Sequence, residues 1–481
     1  MQLTIVLRTF GILLMLFSAS LVPPVLVSAY YEDGELFHFA AIFWVAVTAG
    51  LALWLPFRRG QRALRNRDGF VIVGMFWLVM SLVTAVPFMV GLDMSPTRAV
   101  FEAVSAFTTT GATVIVGLDH LPRSILFYRQ QLQWLGGIGV VVTAVALLPM
   151  MGVGGMQLVR AEITGPMKEE KLTPRINHTA KALWKVYGVL TVACALAYWL
   201  AGMEPFDAVA HSFSTVSTAG FSTHDASLAY FQNPLVEAIA MLFMLLGAIN
   251  FALHFTAWQR LSIRGYLQNA EVRVFLSAVV VLIAVITLVL VAENTHSEPL
   301  QALRHAAFTA VSFITTSGFT IDDAAAWPAM LPVLLVFSAF MAGCAGSTSG
   351  GMKTIRFIVL FKQGLLEISS LIHPNLVRPL KIDNRVVPVR VIQSVWGFFA
   401  AYIAAFALFM LALMMLGLDQ VTAFGAVAAT LNNLGPGLGA VSGNFIGMPD
   451  TGLWLMSFAM LLGRLEIFTL LVLLTPDFWR R

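Results

Sequence analysis

The sequence predicts an all-α polytopic membrane protein. An N-terminal helix pair precedes four pseudo-symmetric units, each a helix, a re-entrant pore helix, a filter loop and a second helix, arranged around a central pore. Three observations predict this. Of 481 residues, 58% are hydrophobic and 11% charged, with a mean hydropathy of +0.83, whereas soluble domains carry roughly 25% charged residues. Apolar runs long enough to span about 30 Å of hydrocarbon alternate with half-length ones. Each half-length run ends in a polar cluster containing glycine.

The long runs lie near 3–28, 38–56, 70–91, 124–150, 182–202, 234–258, 274–292, 391–417 and 450–475, and an interrupted one at 329–372 gives ten predicted crossings. Residues 9–28 read as a retained helix, because the run exceeds a typical signal-peptide apolar region, although the VSA at 27–29 matches a cleavage site. The short runs, 95–107, 204–216, 299–314 and 419–431, would make helices of roughly 20–24 Å at 1.5 Å per residue.

Charge decides whether the short runs cross. Twenty of the 29 Lys and Arg fall in five segments, among them Arg58 to Arg67, Arg160 to Lys185 and Arg378 to Arg390. The intervening connections hold only Arg98, Arg123 and Arg304. If the short runs dip in and return, all five basic segments share one face, as cytoplasmic loops do. Both termini are then cytoplasmic.

The four clusters read FTTTGAT (107–113), VSTAGFS (216–222), ITTSGFT (314–320) and LNNLGPG (431–437), anchored on Gly111, Gly220, Gly318 and Gly435. Fourfold recurrence is specific evidence of a repeat architecture. Non-helical backbone at membrane depth is tolerated only where protein buries it or it lines a watery path. Glycine allows carbonyls to turn toward an axis, and Thr and Ser hydroxyls add oxygens. Rings of oxygen replace the hydration shell of a cation. The alternative, small residues serving close helix packing, explains one cluster better than four. The clusters carry no charged side chain, which favours a monovalent cation.

The units divide the chain into 1–68 (helix pair and basic loop), 69–160, 161–265, 266–385 and 386–481. Within the third, AGCAGSTSGG (342–351) interrupts a helix, read either as a kink or close-packed interface, or as an intramembrane loop. Arg464 lies inside the last apolar run, where charge is costly and usually faces an interior path; a structural ion pair and snorkelling are the alternatives. Lys353 and Arg356 read as snorkelling cations. Glu102, His211 and His305 read as local hydrogen-bonding groups. Asp119, Asp225, Asp322 and Asp323 follow the clusters as an acidic rim, either solvated or concentrating cations.

Other classes fit poorly. Cys194 and Cys344 make no metal or disulfide framework and read as buried apolar residues. GGIG (136–139) and GVGG (152–155) lack the strand context of a nucleotide fold. Basic residues flank apolar runs instead of lining a nucleic-acid groove. No organic cofactor and no enzymatic activity are expected of this chain.

The clusters, GCAGSTSGGMKT (343–354) and GRLEIFTLLVLLTPDFW (463–479) resemble the Trk/Ktr/HKT superfamily of potassium uptake proteins, and within it the bacterial TrkH/TrkG membrane subunits, over essentially the whole chain. The resemblance implies one chain imitating a tetrameric potassium channel in the bacterial inner membrane. It places potassium-binding filter positions at Thr108, Thr109, Thr110 and Gly111; Ser217, Thr218, Ala219 and Gly220; Thr315, Thr316, Ser317 and Gly318; and Asn432, Asn433, Leu434 and Gly435. Gly111 in the first unit favours potassium over sodium. Asn432 and Asn433 depart from the hydroxyl pattern. The resemblance further implies a gate beneath the filter at 342–352, with Gly343, Gly346, Ser347, Thr348, Ser349, Gly350 and Gly351, and Arg464 as a positive barrier. It implies a homodimer embedded in membrane lipid, and a cytosolic nucleotide-binding subunit of the TrkA type docking on the basic loops. The mechanistic alternative is a symporter coupling potassium to protons or sodium by alternating access.

Overall fold

A computed structural model describes residues 3–58, 66–142, 172–296, 298–375 and 378–480. The predicted basic residues from 59 to 65 and from 160 to 171 lie outside these, as does the end of the 124–150 run. The chain is helical almost throughout, and its only strands are two-residue pairs among the described residues.

Six described helical segments are long and apolar enough to span a membrane: Leu7–Tyr31, Leu36–Phe57, Val73–Gly91, Ala180–Leu200, Ala270–Ala292 and Val389–Met415. They make the chain a multi-pass membrane protein. A seventh would be the pair α1 (Pro234–Ala248) and α2 (Phe251–Arg260), bent by 98° between them. The bend sits where Asn250 caps α2 with its side chain. Two of the other long runs are divided by non-helical backbone, whereas the 124–150 run is an unbroken helix over its described part, Arg123–Val142. The 329–372 run becomes two helices, Met330–Ser338 and Thr354–Ile372, and the final run breaks where Glu466 and Ile467 take positive φ.

The four short helices fall where the sequence placed them: Pro96–Phe107, Pro205–Val216, Pro299–Ile314 and Gln420–Leu431. Three begin with proline in the first turn, where its missing N–H costs nothing. The fourth is capped by the Asp419 carboxylate, which accepts from the N–H groups of Val421 and Thr422. Their C-terminal halves are almost entirely buried, so these half-length helices sit inside a jacket of long ones.

Candidate functional site: four interlocked glycine strands

Each short helix ends in the same backbone sequence. Its second cluster residue takes a left-handed φ: 54° at Thr109, 50° at Thr218, 55° at Thr316 and 52° at Asn433. Two residues on, the anchoring glycine does the same, at 84°, 76°, 78° and 97°. Left-handed φ is uncommon for threonine and strained enough to mark a functional site. Asparagine adopts it readily, which explains how Asn433 replaces a threonine without altering the path.

The strands interlock in order. A Cβ on Gly111 would strike the carbonyl oxygen of Ala219, one on Gly220 that of Ser317, and one on Gly318 that of Leu434. One on Gly435 would lie 2.7 Å from the carbonyl oxygen of Thr110. The contacts pass from first strand to second, third, fourth and back to first, so the ring closes. Gly111, Gly220 and Gly318 are partly exposed while the cluster residues before them are buried.

The hydroxyls do something other than widen the oxygen ring. Thr108, Ser217 and Thr315 each donate to the carbonyl four residues back, at 2.7 Å. Thr108 also bonds Thr110 at 2.7 Å, and Thr315 bonds Ser317 at 2.8 Å. These side chains pin each strand to its own helix. In the fourth unit, Asn432 accepts from the Tyr402 hydroxyl at 2.6 Å, and the Asn433 amide donates to Thr110 Oγ1 and to the Met460 carbonyl, both at 3.0 Å. The two asparagines act as struts.

Behind the first two strands lies a charged brace. Glu102 accepts from Arg129 Nε (2.9 Å) and Nη2 (2.7 Å), from Thr113 Oγ1 (3.0 Å) and from the Val114 N–H (3.0 Å). Arg129 continues to the Ser222 carbonyl at 3.4 Å and stacks over Phe221 at 4.1 Å. Gln133 donates to the Ala219 carbonyl (2.8 Å) and accepts from the Phe221 N–H (3.2 Å), and Gln130 donates to the Phe221 carbonyl. The helix Arg123–Val142 thereby clamps the strand of the next unit. Sequence reading missed Arg129, Gln130 and Gln133. Their signal was present as polar residues inside an apolar run.

His211 bonds the Asp207 carbonyl and Ser222, and His305 bonds Asp322, so the local hydrogen-bonding reading holds for both. At the rim beyond the strands, His224 lies 2.5 Å from Asp119 and 3.4 Å from Asp207. Burial pulls the His224 pKa down, but its hydrogen bonds to these carboxylates win and raise it. The His224 hydrogen bond holds Asp119 below the usual carboxylate range. Asp225 accepts from the Gly117 N–H, joining the loops after the first and second strands.

The 342–351 interruption is a loop held at its neck by a parallel pair, β1 (Met341–Ala342) and β2 (Met352–Lys353). Glu271 fastens both flanks, accepting from the N–H groups of Ala345 (2.8 Å) and Ile355 (3.0 Å). Between them Gly343, Gly346, Ser347, Thr348, Ser349, Gly350 and Gly351 are buried or nearly so. The loop touches three of the four strand units. Thr348 accepts from Thr218 and donates to the Val216 carbonyl; the Gly350 N–H donates to Thr316 Oγ1 (2.7 Å) and the Gly351 N–H to the Asn432 carbonyl (2.8 Å).

Arg464 is buried, and its Nη2 donates to the Thr348 carbonyl at 2.9 Å. It therefore meets the loop itself. Lys353 and Arg356 do not snorkel: both are buried. Lys353 Nζ donates to the Ser349 carbonyl, while Arg356 pairs with Glu466 and stacks on Phe398 at 3.9 Å. The correction follows from the loop's shape, which turns residues 352–356 back into protein. Cys194 and Cys344 are both buried and share no disulfide.

Residues 35–480 match the family model for TrkH, described as a cation transport protein. The Trk system potassium uptake protein TrkH of Halomonas elongata is 51% identical over the whole of both chains. That of Escherichia coli K12 is 50% identical over 98% of each. The crystal structure of the potassium transporter TrkH from Vibrio parahaemolyticus superposes with a TM-score of 0.93, at 48% identity over all of both chains.

Proposed function

This chain belongs to the TrkH family of cation transport proteins, and from that premise we propose that it takes up potassium through a selectivity filter formed by its four glycine strands. The closed ring of glycine-to-carbonyl contacts carries this reading, because only a ring can surround a single ion path. The filter residues are Thr108–Gly111, Ser217–Gly220, Thr315–Gly318 and Asn432–Gly435. Most of their hydroxyl and amide groups hold the strands, with Thr109 Oγ1, Asn432 Nδ2 and Asn433 Oδ1 making no hydrogen bond, so backbone carbonyls supply the oxygen cage for the dehydrated cation. The carboxyl ends of the short helices add a partial negative potential on the inner side.

The loop 342–352 closes the path from below, and Arg464 holds it there while adding a positive barrier. Four pseudo-equivalent units, ten crossings and cytoplasmic termini in a bacterial inner membrane complete the architecture. The working form is a homodimer, regulated by a cytosolic nucleotide-binding subunit on the basic face. The relatives' names, potassium uptake proteins of a Trk system, support both cargo and a multi-component assembly.

The test is rubidium against sodium influx in proteoliposomes. In Gly318→Ser the new side chain meets the Leu434 carbonyl and Pro436, whose Cδ lies 2.8 Å from a Cβ placed there, at a φ of 78° that resists any side chain. We expect the preference for rubidium to fall on the order of tenfold, equivalent to about 1.4 kcal/mol of discrimination. Full retention of selectivity in a folded variant would remove the third strand from the filter.

A further inference from the structure

We propose that the outer face of the third unit holds a binding site for a zinc-type divalent ion, formed by His296, His305 and Asp322. Nothing in this inference depends on potassium passing the filter. His296 precedes the third short helix, His305 lies on it, and Asp322 follows Gly318 on the emerging strand. His305 Nδ1 is 3.0 Å and His296 Nε2 3.5 Å from the same carboxylate oxygen, Asp322 Oδ2. The imidazole centroids are 4.6 Å apart, and one ligand atom from each residue falls within 4.8 Å of the others.

Those separations suit a metal. With zinc–nitrogen bonds of about 2.0–2.1 Å, the edges of a tetrahedron are about 3.3 Å, between the 3.0 and 3.5 Å measured. His296 Nε2 is buried without a hydrogen-bond partner, so coordination there would break no existing bond. The carboxylate is already oriented: Trp327 Nε1 donates to Oδ2 at 3.0 Å, and the Asp323 N–H donates to Oδ1 at 2.9 Å. Metal ligands commonly carry such outer hydrogen bonds.

Two imidazoles with one carboxylate select zinc-like ions over magnesium or calcium, which take oxygen ligands. A water would complete a four-coordinate site. The ion would staple the loop before the helix, the helix itself and the strand leaving the ring.

The experiment uses the purified full-length protein, stripped with a chelator and titrated with Zn2+ against a colorimetric zinc indicator. The expected result is one zinc per chain at micromolar affinity or tighter, undisturbed by millimolar Mg2+ or Ca2+. His296→Ala, on a connecting loop, should weaken it at least tenfold, and His305→Gln likewise. Unchanged zinc binding in His296→Ala, a wild-type stoichiometry well below one, or displacement by Mg2+ would each overturn the site. Gel filtration identifies folded variants, and His296→Gln replaces His296→Ala if the latter aggregates.

Discussion

Removing Arg129 tests whether the ring is braced from outside. Arg129→Met keeps most of the side-chain volume but deletes the two bonds to Glu102, at 2.9 and 2.7 Å, and the contact with the Ser222 carbonyl. Both members of the pair are about 1% exposed or less, so the surviving carboxylate cannot turn to water. Breaking a buried pair by removing one partner costs about 3–5 kcal/mol, because a charge is left uncompensated. Glu102 would retain Thr113 and the Val114 N–H, which places the expected loss near the lower end, about 3 kcal/mol. Glu102→Gln should cost less, since Arg129 keeps the Phe221 ring and the Ser222 carbonyl. The double variant should recover about 1 kcal/mol or more relative to the sum of the singles, the signature of direct coupling. Equilibrium unfolding in mixed micelles, followed by tryptophan fluorescence, measures all four corners of the cycle. Simple additivity, or a loss under about 1 kcal/mol for Arg129→Met, would refute the brace.

Three further outcomes follow from the same geometry. Arg464→Ala removes a positive charge and the bond to Thr348; for a separation of roughly 8 Å and an effective dielectric of about 20, a unit charge contributes about 2 kcal/mol, so rubidium flux should rise up to roughly thirtyfold. Unchanged flux in proteoliposomes would reject the barrier. His224→Gln should lower thermal stability most at mildly acidic pH. A raised histidine pKa contributes stability that is complete below the unfolded value of 6.5 and fades as pH climbs through the folded value; the depressed Asp119 contributes above 3.8 and is lost as pH falls through its folded value. The difference between wild type and variant should therefore peak at roughly pH 5 and shrink on the alkaline side; a pH-independent difference would exclude the clasp. Glu271→Gln keeps an acceptor for Ala345 and Ile355 but loses its charge, and basal flux should rise severalfold; Glu271→Ala should raise it further, and equal wild-type flux in both would detach Glu271 from the loop.

The parts legible in the sequence were those with local signals. The four short helices are bounded by a proline or a capping aspartate at one end and a polar glycine cluster at the other, so their limits agree to within a residue. The interruption at 342–351 was legible because glycine and serine weaken a helix over many positions. Distant partnerships were hidden. Gln133 meets Ala219 and Phe221 across more than eighty residues of chain, and no periodicity announces such a contact. Lys353 and Arg356 were misread for a related reason: position along the chain suggests an interface, but the reversal of direction at the loop buries them. The hydroxyls of the clusters were read as added oxygens for the ring, whereas those of Thr108, Ser217 and Thr315 donate to the carbonyls of their own helices.

The ring of glycines has one consequence beyond the selectivity proposed for it. Where a filter is made by four copies of one chain, every substitution is imposed at four places at once, and mild changes are rarely available. Here each strand is written separately in the gene. The fourth already shows the freedom this gives, with Asn433 holding a φ of 52° where the others use threonine. Evolution, or an engineer, can alter a quarter of the ring and leave three quarters in place. Affinity and throughput can then be adjusted in steps finer than a symmetric assembly allows.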